Sequence, residues 1–263
     1  MRKTPLALAF VGAFAVSSAA LAEEVKAPAP DYTLTGNVTL ASEYLYRGIA
    51  QSNHKPAIQG GFDYAHASGV YLGTWASSIS WLSDQSSAWP GSSGVSAPLE
   101  MDVYGGYKGK AGDISYDVGV LEYYYPGKYP DGFTSPNTFE GYAAGTWKWL
   151  TVKGSYSFTN LFGAKAPNGD KTNGSYYLDA TGVFDVGAGV NLTTHVGYQN
   201  VKGYDDASYT DWKLGVAKDA FGLSWGLSYI GTNAKGDAGQ FYRNAYDKNL
   251  GSGRVVLTVG KTL

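Results

Sequence analysis

The stretch Ser42-Glu-Tyr-Leu-Tyr-Arg-Gly-Ile-Ala-Gln-Ser52 decides how the rest of the chain is read. Taken as a strand, it puts Ser42, Tyr44 and Tyr46 on one face and Glu43, Leu45 and Arg47 on the other, because successive side chains alternate. One face carries rings and the other carries charge. The expectation is that Tyr44 and Tyr46 look outward to hydrocarbon while Glu43 and Arg47 look into an aqueous lumen, as in a barrel whose wall has lipid outside and water within.

The remaining sequence supports that kind of wall. Only 16% of the 263 residues are charged, against 36 Gly, 22 Tyr and 7 Trp. Beyond the N-terminus no run of roughly 18 apolar residues exists, so any membrane crossing must be made by strands. From Thr33 onward, segments of about ten residues alternate with period two, the pattern of outer-membrane strands, and about twelve can be counted. In one, Ile114, Tyr116, Val118 and Val120 interleave with Ser115, Asp117 and Gly119; another runs from Gly189 to Gln199. Connections alternate between long ones, such as "GIAQSNHKP" and "NLFGAKAPNGDKTNG", and short ones, such as "HASG" and "DAFG". That asymmetry predicts an all-β, up-and-down antiparallel transmembrane β-barrel of about 12 strands, with both termini on the short-turn side.

Strand alternation alone also fits a soluble barrel with an apolar interior. Three features favour the membrane form. Rings such as Tyr44, Tyr46, Phe62, Tyr64, Trp147, Trp212, Trp225 and Tyr229 fall near predicted strand ends, as interfacial girdles do. The last strand, "RVVLTVGKTL", runs to the final residue with Val255, Leu257, Val259 and Leu263 in register. The loop lengths alternate as described.

Residues 1–22 read as a secretory signal peptide: Arg2 and Lys3, an apolar run from Pro5 to Ala20, then the small-residue site Ala20-Leu21-Ala22. Residues 23–32 form a disordered periplasmic lead containing Pro28 and Pro30, and residues 33–263 the barrel. Export implies the cell outer membrane of a Gram-negative envelope. Loss of Arg2 and Lys3 with the leader takes the formal charge from −2 to about −4, and nothing resembles a nucleic-acid footprint. Cysteine is absent, so backbone pairing must replace crosslinks.

The phrases "SEYLYRGIAQS", "PAIQGGFDY", "SGVYLGTWAS" and the terminal "GKTL" closely resemble the TorF-like porin family, a conserved proteobacterial outer-membrane family of unknown function. They cover the first three strands and the last; the family's usual terminal Phe is replaced by Leu263. The resemblance implies a porin-type barrel with no established substrate, and it hands over no catalytic residues. Partners follow from this setting: outer-membrane lipid, the barrel-assembly machinery through the C-terminal strand, and small hydrophilic solutes.

On the strand parities, the lumen-facing acids are Glu43, Asp63, Glu100, Asp102, Asp117, Glu140, Asp179 and Asp211; Arg47, Lys153, Lys213, Arg254 and His195 oppose them. This excess predicts a negative interior and passive diffusion of small hydrophilic solutes with a mild cation preference. Side chains pairing across the lumen could instead close it, leaving a plugged barrel that acts through its external loops. Those loops carry Trp81, Trp89, Tyr129, Phe133, Phe241, Tyr242 and Tyr246, able to fold inward or to pack on one another. A lipid hydrolase would need His66 and Ser68, but these lie in the short turn "HASG" on the side away from the long loops. His54 and His195 lack neighbours in the sequence for a metal, Asp205 and Asp206 lack the spacing of a calcium loop, and the turn around Gly187 has no helix behind it to hold phosphate. No enzyme activity and no cofactor are expected.

Overall fold

A computed structural model describes residues 30–87 and 94–263. Residues 1–29, and with them the expected signal peptide and most of the expected lead, lie outside this range, as does Trp89. The strands are β1 (Tyr32–Ala41), β2 (Leu45–Tyr46), β3 (Ile49–Ala50), β4 (Ala57–His66), β5 (Val70–Ser78), β6 (Leu99–Ala111), β7 (Ile114–Tyr124), β8 (Thr138–Trp147) and β9 (Leu150–Ser157). They continue with β10 (Tyr176–Asp185), β11 (Val190–Asn200), β12 (Tyr209–Ala220), β13 (Leu223–Thr232) and β14 (Arg254–Thr262). Apart from β2 and β3, these strands close a twelve-stranded antiparallel barrel in chain order, with β1 paired to both β4 and β14. The expected architecture and strand number are therefore present.

Closure leaves no free edge, so backbone groups pair throughout the wall without covalent help. The side chains sort by parity. Leu34, Leu40, Phe62, Leu72, Val103, Val118, Val152, Leu178, Val196, Leu214 and Val255 stand exposed on the outside. Residues one place along each strand point inward, among them the buried carboxylates of Glu100, Asp102, Asp117, Glu140 and Asp211. This distribution is inverted relative to a water-soluble barrel. No helix among the described residues is long and apolar enough to cross a membrane. Phe62, Tyr64, Trp147, Trp212, Trp225 and Tyr229 are all exposed on the outer face.

Long connections (42–56, 79–87 with 94–98, 125–137, 158–175, 201–208 and 233–253) gather at one end, and turns of two to four residues at the other. Trp81–Ser87, in the second long connection, forms a short helix.

The opening stretch is where the structure departs from its sequence reading. β1 ends at Ala41, not Tyr46. Ser42 still donates its N–H to the Leu257 carbonyl (2.8 Å), after which the chain turns into the barrel. Tyr44 is buried and Tyr46 packs inside against Tyr123, so neither faces outward. The cause is a hairpin signal hidden in the alternation. Leu45 pairs with Ala50 and Tyr46 with Ile49, leaving Arg47-Gly48 as a two-residue turn, both at positive φ (47° and 79°). That is the geometry whose twist matches a tight hairpin. Glu43 and Arg47 do reach the lumen, but from this hairpin and not from the wall.

Candidate functional site: a hairpin across the lumen

The hairpin lies across the long-loop end of the lumen and touches the wall on nearly every side. Its tip carries Arg47, held in a left-handed conformation that costs a non-glycine residue roughly 1–2 kcal/mol. The compensation is a fork of charge-assisted bonds. Arg47 donates to both carboxylate oxygens of Glu140 on β8 (3.1 and 2.7 Å) and to Oε1 of Gln199 on β11 (2.7 Å). The guanidinium lies over the rings of both Tyr177 and Tyr46, 4.3 and 4.9 Å from their centroids. Gly48 presses so closely on the far wall that a Cβ there would collide with Thr232 Cγ2 and lie 2.9 Å from Asp211 Cβ.

The base of the hairpin is pinned as firmly. Tyr44 donates its hydroxyl to Glu100 (2.6 Å) and its N–H to Ser52 Oγ (3.0 Å), and its ring meets Trp75 edge-on. Tyr46 hydrogen-bonds Tyr123 through their hydroxyls. Glu43 takes His54 Nδ1 at 2.5 Å and Arg254 Nε at 3.6 Å, tying the segment to β14. Above it the long connections form a lid. Trp81, Tyr129, Phe133 and Phe162 pack on the cluster around Tyr44, Tyr123 and Tyr125, while Tyr242 and Tyr209 close over Ile49. Burial holds the Tyr242 hydroxyl well above the usual phenol range, so it remains a donor, to the Ala207 carbonyl (2.6 Å). Phe241 joins that cap and Tyr246 stays exposed.

Below the hairpin, each expected wall residue stands on the inward face: Asp63 on β4, Glu100 and Asp102 on β6, Asp117 on β7, Glu140 on β8, Lys153 on β9, Asp179 on β10, His195 on β11, Asp211 and Lys213 on β12, and Arg254 on β14. They do not form one array of ion pairs. Arg47 meets Glu140; His195 meets Asp211 (3.1 Å) and, more distantly, Asp179 (3.9 Å). The other acids are mostly served by phenols. Tyr71 donates to Asp117 (2.5 Å), Tyr104 to Asp63 (2.6 Å), Tyr177 to Asp211 (2.8 Å), and Tyr125 joins Tyr44 on Glu100 (2.8 Å). Asp102 keeps one buried oxygen without a hydrogen-bond partner among the described residues.

Sequence reasoning missed three parts of this site. Lys108, inward on β6, lies 4.5 Å over the Tyr71 ring, and the Gly-rich run "YGGYKGKAG" masks its parity. Gln199 falls on the lumen face by alternation, but nothing local signals that it will meet Arg47. The inward tyrosines are overshadowed in the sequence by those at the girdles. His195 also bonds Tyr177 (3.0 Å) and Thr181 (2.7 Å), so its ring is fully engaged, and no group of three potential metal ligands occurs among the described residues. His66 Nδ1 and Ser68 Oγ are 2.8 Å apart in the short turn, at the end away from the hairpin. Asp206 pairs with Lys235, and the turn at Gly187 simply joins β10 to β11.

Among solved structures, the chain is similar in fold to a KdgM porin, with 10% identity over 86% of this chain and 98% of that one and a TM-score of 0.50. It is also similar to a NanC porin (11% identity, 88% and 98% covered, TM-score 0.49) and to an outer membrane channel from Pseudomonas putida F1 (12%, 91% and 99%, TM-score 0.46). No curated protein matches it. Residues 25–263 match the model of a family described as bacterial protein of unknown function, Gcw_chp, and the chain accordingly belongs to that family.

Proposed function

We propose that the protein is an outer-membrane porin of the TorF-like kind, a passive path for small hydrophilic solutes that is closed at its external end by the 42–56 segment. The observation that carries this reading is the inverted wall, apolar outside and carboxylate-lined inside. An apolar outer surface of this extent needs hydrocarbon as its solvent. Charged groups survive within because water reaches them when the path is open. A porin-like fold adds support for the architecture.

Selectivity follows from the way the acids are held. Phenols satisfy Asp63 and Asp117 without supplying a positive charge, which supports an excess of negative charge that favours cations. The segment 42–56 is then a gate, because opening requires only a hairpin and its contacts to move while the closed ladder stays intact.

The Arg47 fork favours a second reading: a permanently plugged barrel that works through its external loops as a binding protein. Planar-bilayer recording of the refolded barrel separates the two. Current steps that enlarge or lengthen when residues 43–55 are replaced by a short Gly-Ser linker support the gated path. Silence from both the natural and the shortened chain refutes it and leaves the plugged barrel.

A further inference from the structure

We propose that the outer face of β8, β9 and β10 holds an acyl lipid whose phosphate headgroup is net anionic, in the leaflet at the long-loop end. This rests on the membrane reading above. Two adjacent rows of residues cross these strands on the outside: Gly141 beside Tyr156 and Tyr176, then Ala143 beside Gly154 and Leu178. Where the rows have no side chain or only a methyl, the surface sinks into a groove of about 490 Å³, walled by Tyr156, Phe158 and Leu178. This is within the roughly 300–1,000 Å³ of small-molecule sites.

The mouth of the groove is polar, and this selects the occupant. Lys202, exposed just past β11, has its N–H bound to Ser175 Oγ (3.0 Å), which fixes it beyond the ends of β9 and β10. Gly174 sits beside it at φ +92°. The point a Cβ would occupy there is 3.2 Å from Tyr156 Oη and 3.5 Å from Lys202 Nζ. An ammonium and a phenol hydroxyl thus converge at the top of an apolar slot, the arrangement that suits a phosphate above a hydrocarbon chain. A second copy of the chain fits less well. In a two-fold pair the patch would meet itself, and the strand acids Glu140 and Asp179 point inward, so the facing strands would offer Lys202 no counter-charge.

The test is native mass spectrometry of the full barrel released from detergent after equilibration with phosphatidylglycerol or phosphatidylcholine. The natural chain is expected to retain one phosphatidylglycerol in preference to phosphatidylcholine. Lys202→Gln should lower retention of the anionic lipid about fivefold, the size of one lysine's contact with an anionic surface, and Lys202→Arg should restore it. Ala143→Phe, which fills the groove from an outward-facing position, should lower retention of both. Equal retention of the two lipids by the natural chain, or unchanged retention in Lys202→Gln, overturns the proposal. So does a dimer that Ala143→Phe dissociates without any lipid preference. A barrel monodisperse in buffer without detergent sinks the membrane reading itself, whereas a detergent-dependent barrel with no lipid preference sinks only the groove.

Discussion

Replacing Arg47 by Ala should open the barrel without unfolding it. The substitution removes two bonds to Glu140 and one to Gln199, and leaves the Glu140 carboxylate, whose side chain is 3% exposed, facing the hairpin with only the long contact from Tyr123 (3.3 Å). Stripping one member from a buried ion pair costs about 3–5 kcal/mol. The lower end applies here, because water can reach Glu140 as soon as the hairpin lifts. At about 1.4 kcal/mol per tenfold, 3 kcal/mol moves the ratio of closed to open forms by roughly two orders of magnitude. The loss falls on the hairpin, because every strand ladder of the wall is independent of Arg47. The assay is the conducting fraction in planar bilayers, with Arg47→Lys as a control that keeps the charge but loses the fork. Glu140→Gln closes a double-mutant cycle: the paired substitution should be less disruptive than the sum of the single ones, by about 0.5–3 kcal/mol. An Arg47→Ala channel whose conducting fraction and step size equal those of the natural chain would refute the clamp.

Gly48→Ala should act in the same direction, because its methyl would collide with Thr232 Cγ2 at a φ of +79°; faster proteolytic nicking between residues 43 and 55 in intact barrels would register the expelled tip. Converting Glu100 to Gln together with Asp102 to Asn should move the reversal potential in a salt gradient toward zero, and an unmoved potential would end the cation preference. Leu214→Lys, on the exposed face of β12, should cost about 2–4 kcal/mol in reversible unfolding from lipid vesicles if that residue lies near the bilayer midplane. A cost near zero would place the hydrocarbon band elsewhere.

The wall was legible in the sequence because it follows a single rule of period two repeated twelve times, and because turn lengths report which end is which. The inward residues followed from the same parity. What the sequence concealed was the point where alternation stops meaning a wall strand. Ser42 to Tyr46 continue the alternation of β1, yet only Ser42 still bonds to its neighbour. The signal lay in Arg47-Gly48, a weaker turn pair than the Asn-Gly or Asp-Gly usually read as a hairpin. Gly48 supplies the positive φ without cost, whereas Arg47 adopts it only because Glu140, 93 residues later, repays it. A local reading cannot supply that long-range term, so the fold was accessible from pattern while the hairpin was not.

The tyrosines show why the interior takes the form it does. A carboxylate buried in a narrow lumen needs hydrogen bonds, and a lysine or arginine would supply them at the expense of the local field. A phenol supplies a donor and no charge. Tyr71, Tyr104 and Tyr177 each give their hydroxyl to a lumen acid from the wall, Tyr125 does so from the connection just past β7, and Tyr44 from the hairpin. The one full guanidinium fork in the described lumen belongs to Arg47, on the element that can leave. Lifting of the hairpin tip, with Glu43 still held on His54 and Arg254, would therefore remove a cation and expose Glu140 in one movement. On the gated-path proposal, opening the path and making it more negative would be the same event, coupling conduction to cation preference through a single side chain.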